Sequence, residues 1–88
     1  MKLKVAYAPY FVRQFKSLEA SLQEEVLEKI ELLKNKKNHR ILKAHKLTGR
    51  LLKRCSFSVN YKIRIVFSYL AKNEVILLAV GSHAIYEK

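Results

Sequence analysis

Leu3, Val5 and Tyr7 alternate with Lys2, Lys4 and Ala6, the period of two expected of a short strand with one buried face. Pro9 follows, and its fixed φ and missing N–H suit the first turn of a helix. The period then changes. Phe11, Phe15 and Leu18 fall at i, i+4 and i+7, one stripe of a short helix. Ser21 followed by Glu24 has the spacing of a capping box. Leu22, Val26, Ile30 and Leu33 carry the stripe through a second helix expected to end near Asn35, with Glu25 and Lys29 as a favourably oriented i,i+4 pair. The two helices are expected to form a hairpin whose apolar stripes face one sheet.

From Lys36 to Gly49 no period emerges, and the segment reads as a loop with at most a turn of helix around Ile41 and Leu42. Leu51 to Ser58 reads as a strand, Val59 to Tyr61 as a tight connection, and Lys62 to Tyr69 as a second strand. In that second strand Ile63, Ile65 and Phe67 share one face, and Arg64, Val66 and Ser68 share the other. Ala71 to Asn73 supply a turn. Val75 to Val80 is apolar throughout, as in a central strand buried on both sides, and Gly81 breaks it. The order β-α-α-β-β-β predicts an α+β fold: a small antiparallel sheet with an N-terminal helical hairpin packed on one face. With 88 residues, half of them hydrophobic, residues 1–88 are expected to form a single domain around one modest core.

Charge changes the picture from fold to partner. Eighteen Lys and Arg against seven Glu and no Asp give a formal charge of +11, a field that attracts polyanions. No acidic residue occurs between Glu31 and Glu74, whereas Lys34, Lys36, Lys37, Arg40, Lys43, Lys46, Arg50, Lys53, Arg54, Lys62, Arg64 and Lys72 all fall there. A solubilising surface mixes signs. An uncompensated patch costs self-repulsion that a polyanion relieves through counterion release, so nucleic acid or an acidic protein is the leading partner class, with a phosphate backbone favoured, and a membrane surface the weaker one. Lys43, Lys46, Arg50, Lys53 and Arg54 are the candidates for holding a phosphate backbone.

The single cysteine, Cys55, can form neither an internal disulfide nor a cysteine-cluster metal site and reads as a small core residue in a reducing compartment. The N-terminal stretch lacks the long apolar region of a signal peptide. No segment stays apolar for the roughly 20 residues of a membrane span. A soluble cytoplasmic protein is expected.

Three segments in order, His45-Lys-Leu-Thr-Gly49, Tyr61-Lys-Ile-Arg-Ile-Val-Phe67 and Gly81-Ser-His-Ala-Ile-Tyr86, resemble the RelE/ParE toxin superfamily of type II toxin–antitoxin systems over nearly the whole chain. The pairing of His45 before Leu-Thr-Gly with His83 is most similar to the YafQ branch of RelE-like mRNA interferases. That resemblance implies a toxin that cleaves mRNA on the ribosome and is neutralised by a cognate antitoxin, with a toxin–antitoxin hetero-oligomer as its resting form. It makes RNA the backbone held by Lys43, Lys46, Arg50, Lys53 and Arg54. The ParE branch, which inhibits DNA gyrase by binding, is the alternative the same resemblance offers.

The residues are consistent with the nuclease chemistry. RNA carries its own nucleophile, the 2′-hydroxyl. Cleavage therefore needs a base to deprotonate it, an acid for the 5′-oxygen leaving group, and cations on the phosphate. A metal-dependent phosphodiesterase would want clustered carboxylates, and this chain offers no Asp and no Glu across the basic segment. No metal and no cofactor is expected. Arg64, mid-strand on the face away from Ile63 and Ile65, reads either as a strand-surface arginine or, as the resemblance favours, as a guanidinium on the scissile phosphate. His83 titrates in the range useful to an acid or base, or serves as a surface or capping residue. His45 serves as an acid–base group or holds the loop through a backbone hydrogen bond. Tyr86 stacks on a base, bonds a phosphate or packs on the sheet. His39 has no supporting partner and is read as incidental.

Overall fold

The computed structural model describes residues 2–35, 38, 45–46 and 54–82, of which 45–46 are described by backbone alone. The chain runs β1 (Lys4–Tyr7), α1 (Pro9–Lys16), α2 (Ala20–Leu33), β2 (His45–Lys46), β3 (Arg54–Ser58), β4 (Arg64–Ala71) and β5 (Glu74–Gly81). These strands form one five-stranded sheet in the order β1-β5-β4-β3-β2. The expected α+β fold with an N-terminal pair of helices is the fold observed, and its C-terminal meander β3-β4-β5 is antiparallel. The sheet as a whole is mixed, because β1 joins β5 in parallel. Two helices separate β1 from the remaining strands, long enough a connection to return the chain for parallel pairing.

The helical hairpin is tight. Pro9 opens α1 after the extended Ala8. Its end is closed by Ser17, whose Oγ–H and N–H both donate to Gln14 O, at 2.8 and 3.2 Å. Only Ser17 to Glu19 separate the helices, so α2 begins at Ala20 with Glu19 as its N-cap and no side-chain cap. The capping box expected of Ser21 and Glu24 therefore does not form: the short connection puts Ser21 already inside the first turn. Gln23 does a related job from within α2, donating through Nε2 to Phe15 O at 2.9 Å, a last-turn carbonyl of α1 that also accepts from Leu18 N–H at 3.1 Å. The second helix ends at Leu33 rather than near Asn35. Leu3 N–H donates to Lys34 O at 2.7 Å, and Asn35 bridges to Lys2, so pairing with the start of β1 draws these residues out of the helix.

Between helices and sheet lies the core: Phe11, Val26, Ile30, Leu33, Phe57, Ile65, Phe67, Val75, Leu77 and Val80, among others, all essentially inaccessible. Phe57 and Phe67 meet edge to face, ring centres 5.7 Å apart. Gln14 Oε1 accepts from Val80 N–H at 2.8 Å, fastening α1 onto β5.

Three strand expectations change. Val75 to Val80 is not buried on both sides, since Ile76 and Leu78 are half-exposed. The register moves from Val66↔Ala79 to Phe67↔Leu77, which leaves Leu78 as an extra residue on β5. This bulge explains why the core members are Val75, Leu77 and Val80 rather than a strict alternation. Tyr7 is 45% exposed rather than in the core and lies against Phe11, ring centres 5.8 Å apart. Within the segment read as a loop, His45–Lys46 form an edge strand antiparallel to β3. The expected turn of helix at Ile41 and Leu42 and the first three residues of the strand expected over 51–58 lie outside the described residues. No described helix is long and apolar enough to cross a membrane.

Candidate nucleic-acid interface

Alternation along β3 and β4 puts Cys55, Phe57, Ile65 and Phe67 in the core and turns Arg54, Ser56, Ser58, Arg64, Val66 and Ser68 to the face away from the helices. The register aligns them in rows: Arg54 opposite Ser68, Ser56 opposite Val66, Ser58 opposite Arg64. On the other flank of β4, Val66 faces Ala79 and Arg64 faces Gly81. The glycine matters here, because a side chain at 81 on that face would stand beside the guanidinium.

Arg64 is half-buried and held in place. Its Nη1 donates to Ser58 Oγ at 2.5 Å and to the Asn60 carbonyl at 3.0 Å. Asn60 in turn organises the connection between β3 and β4. Its Oδ1 accepts from Lys62 N–H at 2.9 Å and Ile63 N–H at 2.8 Å, while Val59 N–H closes onto Ile63 O at 2.8 Å. An asparagine side chain that imitates a turn's backbone in this way stiffens it. Asn60 Nδ2 also donates to Glu25 Oε2 at 3.4 Å, tying the turn to α2. Two hydrogen-bonded anchors fix one nitrogen of Arg64, and the rest of its planar donor fork, without a salt-bridge partner among the described residues, is of the geometry that meets a phosphate or carboxylate.

Two further side chains mark this end of the sheet. Tyr61 is 85% exposed, and Lys62 Nζ lies 5.8 Å from its ring centre. Among the described residues the ion pair of Lys34 with Glu31, at 2.7 Å, is the one salt bridge. The cations Arg54, Lys62 and Arg64 therefore have no described carboxylate as salt-bridge partner. Hydrogen bonding to Lys34 holds the Glu31 carboxyl below its ordinary range, and Glu31 holds Lys34 above its own. Burial, followed by Cys55, pushes the Tyr69 phenol up.

Of the residues singled out from the sequence, Arg64 and Arg54 sit on one face of the β3–β4 pair, Arg54 exposed. His45 and Lys46 lie on β2, His45 at the register position opposite Ser56 and Lys46 opposite Cys55. Two strand spacings, roughly 10 Å, separate β2 from β4. Lys43, Arg50, Lys53, His83, Tyr86 and His39 lie outside the described residues. Gly81, two positions before His83 in the chain, pairs with Arg64. Sequence reading missed Ser58, Asn60, Tyr61 and Lys62 as parts of the site. An asparagine between two predicted strands was the available signal, since it marks a turn able to present its neighbours.

On the opposite side of the molecule, Tyr7, Phe11, Val12, Phe15, Leu27 and Ile30 line a wholly apolar cleft, with Leu27 51% exposed.

No protein-family model matches the chain, and no curated protein matches its sequence. Solved structures do match in fold. A chain of the RelBE2 toxin–antitoxin complex of Mycobacterium tuberculosis superposes with a TM-score of 0.73 at 15% identity, over 94% of this chain and 100% of that one. A chain of the heterotetrameric YoeB–YefM toxin–antitoxin complex of Staphylococcus aureus gives 0.73 at 18% identity, over 94% and 99%. A conserved hypothetical protein of Helicobacter pylori gives 0.71 at 21% identity, over 93% and 96%. The fold is that of the RelE/YoeB-type toxins.

Proposed function

We propose that this chain is the toxin of a type II toxin–antitoxin pair and acts in the cytoplasm as a metal-independent endoribonuclease that cleaves mRNA on the ribosome. The observation that carries this reading is Arg64: a guanidinium pinned by Ser58 and Asn60, with no described carboxylate as salt-bridge partner, opposite Gly81 at the end of β5. Its fold likeness to chains of RelBE2 and YoeB–YefM complexes supports the toxin role.

In the proposed reaction a base removes the proton of the 2′-hydroxyl, and the oxygen attacks the adjacent phosphorus. The bond to the 5′-oxygen breaks, and an acid protonates that leaving group, giving a cyclic phosphate and a 5′-hydroxyl. Arg64 binds the non-bridging oxygens as negative charge builds on them. His83 and His45 are the proposed acid–base pair and Tyr86 a further contact to the reacting nucleotide. Lys43, Lys46, Arg50, Lys53 and Arg54 hold the flanking backbone. The antitoxin is expected to bury the apolar cleft on the helical side and to cover the cationic face with acidic groups, which neutralises charge and excludes RNA together.

The test is 5′-end mapping of a translated reporter mRNA with purified ribosomes, comparing the native chain with Arg64→Ala and His83→Ala. New ends within codons are expected from the native chain. Arg64→Ala should lower their yield about 100- to 1,000-fold, the usual cost of losing one donor to transition-state charge. Absence of cleavage, with growth arrest persisting when the chain is expressed alone, would instead favour gyrase inhibition by binding.

A further inference from the structure

The turn between β3 and β4 carries an aromatic ring that the fold does not use. Tyr61 is 85% exposed, the most open of the large hydrophobic side chains exposed among the described residues. The hydrogen bonds that shape the turn come from Val59, Asn60, Lys62 and Ile63, so no bond of the turn depends on a ring at position 61. Lys62 Nζ lies over one face of that ring at 5.8 Å. The carbonyl of Asn60, the residue immediately before Tyr61, is also the second anchor of Arg64.

We propose that Tyr61 is a stacking platform for one nucleobase of single-stranded RNA, with Lys62 on that nucleotide's phosphate, and that it sets the position of the RNA chain relative to Arg64. The inference rests on the ribonuclease reading above and adds to it the residue that places the substrate. Unpaired bases are recognised by stacking on aromatic side chains beside cations that follow the backbone. Here ring, ammonium and guanidinium follow one another along four residues, Tyr61 to Arg64. Asn60 binds the Arg64 guanidinium through its carbonyl and shapes through its side chain the turn that presents the ring, so both contacts depend on one residue. A base stacked on Tyr61 is thereby registered against the phosphate that Arg64 meets.

The experiment is binding of a fluorescently labelled single-stranded RNA oligonucleotide, followed by anisotropy, to the native chain and to Tyr61→Ala, Tyr61→Phe and Tyr61→Trp. Tyr61→Ala should weaken binding about 5- to 150-fold, the range of one lost stacking contact. Its thermal midpoint should match the native chain's, and Tyr61→Phe should restore affinity. The chain has no tryptophan, so Tyr61→Trp introduces one emitter at the tip. Its fluorescence should be quenched by the oligonucleotide and left unchanged by an abasic strand of equal length. Binding of Tyr61→Ala within twofold of the native value, or equal quenching by the abasic strand, overturns the stacking proposal and leaves the ribonuclease reading intact. A native chain that binds no oligonucleotide overturns the stacking proposal as well, and the ribonuclease reading is then decided by the 5′-end mapping on ribosomes alone.

Discussion

The helical layer and the β3–β4 hairpin are both exposed, yet they carry opposite charge. Glu19, Glu24, Glu25, Glu28 and Glu31 all stand exposed along or beside α2, relieved within the helix by Lys29 alone. From Arg54 to Asn73 the chain carries Arg54, Lys62, Arg64 and Lys72 and no acid. A molecule of net charge +11 thus gathers five of its seven acids along or beside one helix. The difference teaches that net charge here describes a direction: the helical side would repel a phosphate backbone and the hairpin side would draw it in. The described side-chain hydrogen bond between α2 and the β3–β4 turn joins Asn60 to Glu25.

Both regions depend most on the core that lies between them. Phe57 and Phe67 are fully buried where the sheet meets the helices. Phe57→Ala is expected to lower unfolding stability by about 3–5 kcal/mol, measured by urea titration. A loss under about 1 kcal/mol would mean that helices and sheet do not share this core. A smaller effect sharpens the contrast of charge. Arg54→Gln is expected to reduce the magnitude of the slope of log affinity against log salt, for single-stranded RNA, by about 0.7. Lys29→Gln on the acidic layer should leave that slope unchanged, and equal changes in both variants would show that the field does not discriminate the two faces.

The smallest effect is expected within the acidic layer. Glu31 and Lys34 form an exposed pair three residues apart, and such pairs add little. The sign is nonetheless fixed. A lowered Glu31 supports the fold above the ordinary carboxylate range and ceases to as pH falls through its depressed value. A raised Lys34 supports it below the ordinary lysine range and ceases to as pH rises through its elevated value. Glu31→Gln should leave the thermal midpoint at neutral pH within error, and a clear drop would show a wider network around α2.

Much of this architecture was legible because local periodicity and core membership coincide. The stripes Phe11–Phe15 and Val26–Ile30–Leu33 mark the buried sides of two helices, and Ile65 and Phe67 the buried side of a strand. Legibility failed where a local signal competed with a tertiary one. Ser21 and Glu24 have the spacing of a cap, but a connection of three residues decides where α2 begins. His45 and Lys46 show no strand pattern, because two residues at an edge are held by hydrogen bonds to β3 rather than by propensity. Leu78 reads as core by composition, and only the register with β4 reveals the bulge that removes it.

The candidate site divides in the same way. The sequence by itself determined its charge, its shortage of carboxylates and the face on which Arg64 stands, since these follow from composition and a period of two. Only the tertiary structure decided what Arg64 meets. Ser58, Asn60 and Gly81 come beside it through hydrogen-bond register across three strands, and register joins residues that no local pattern relates.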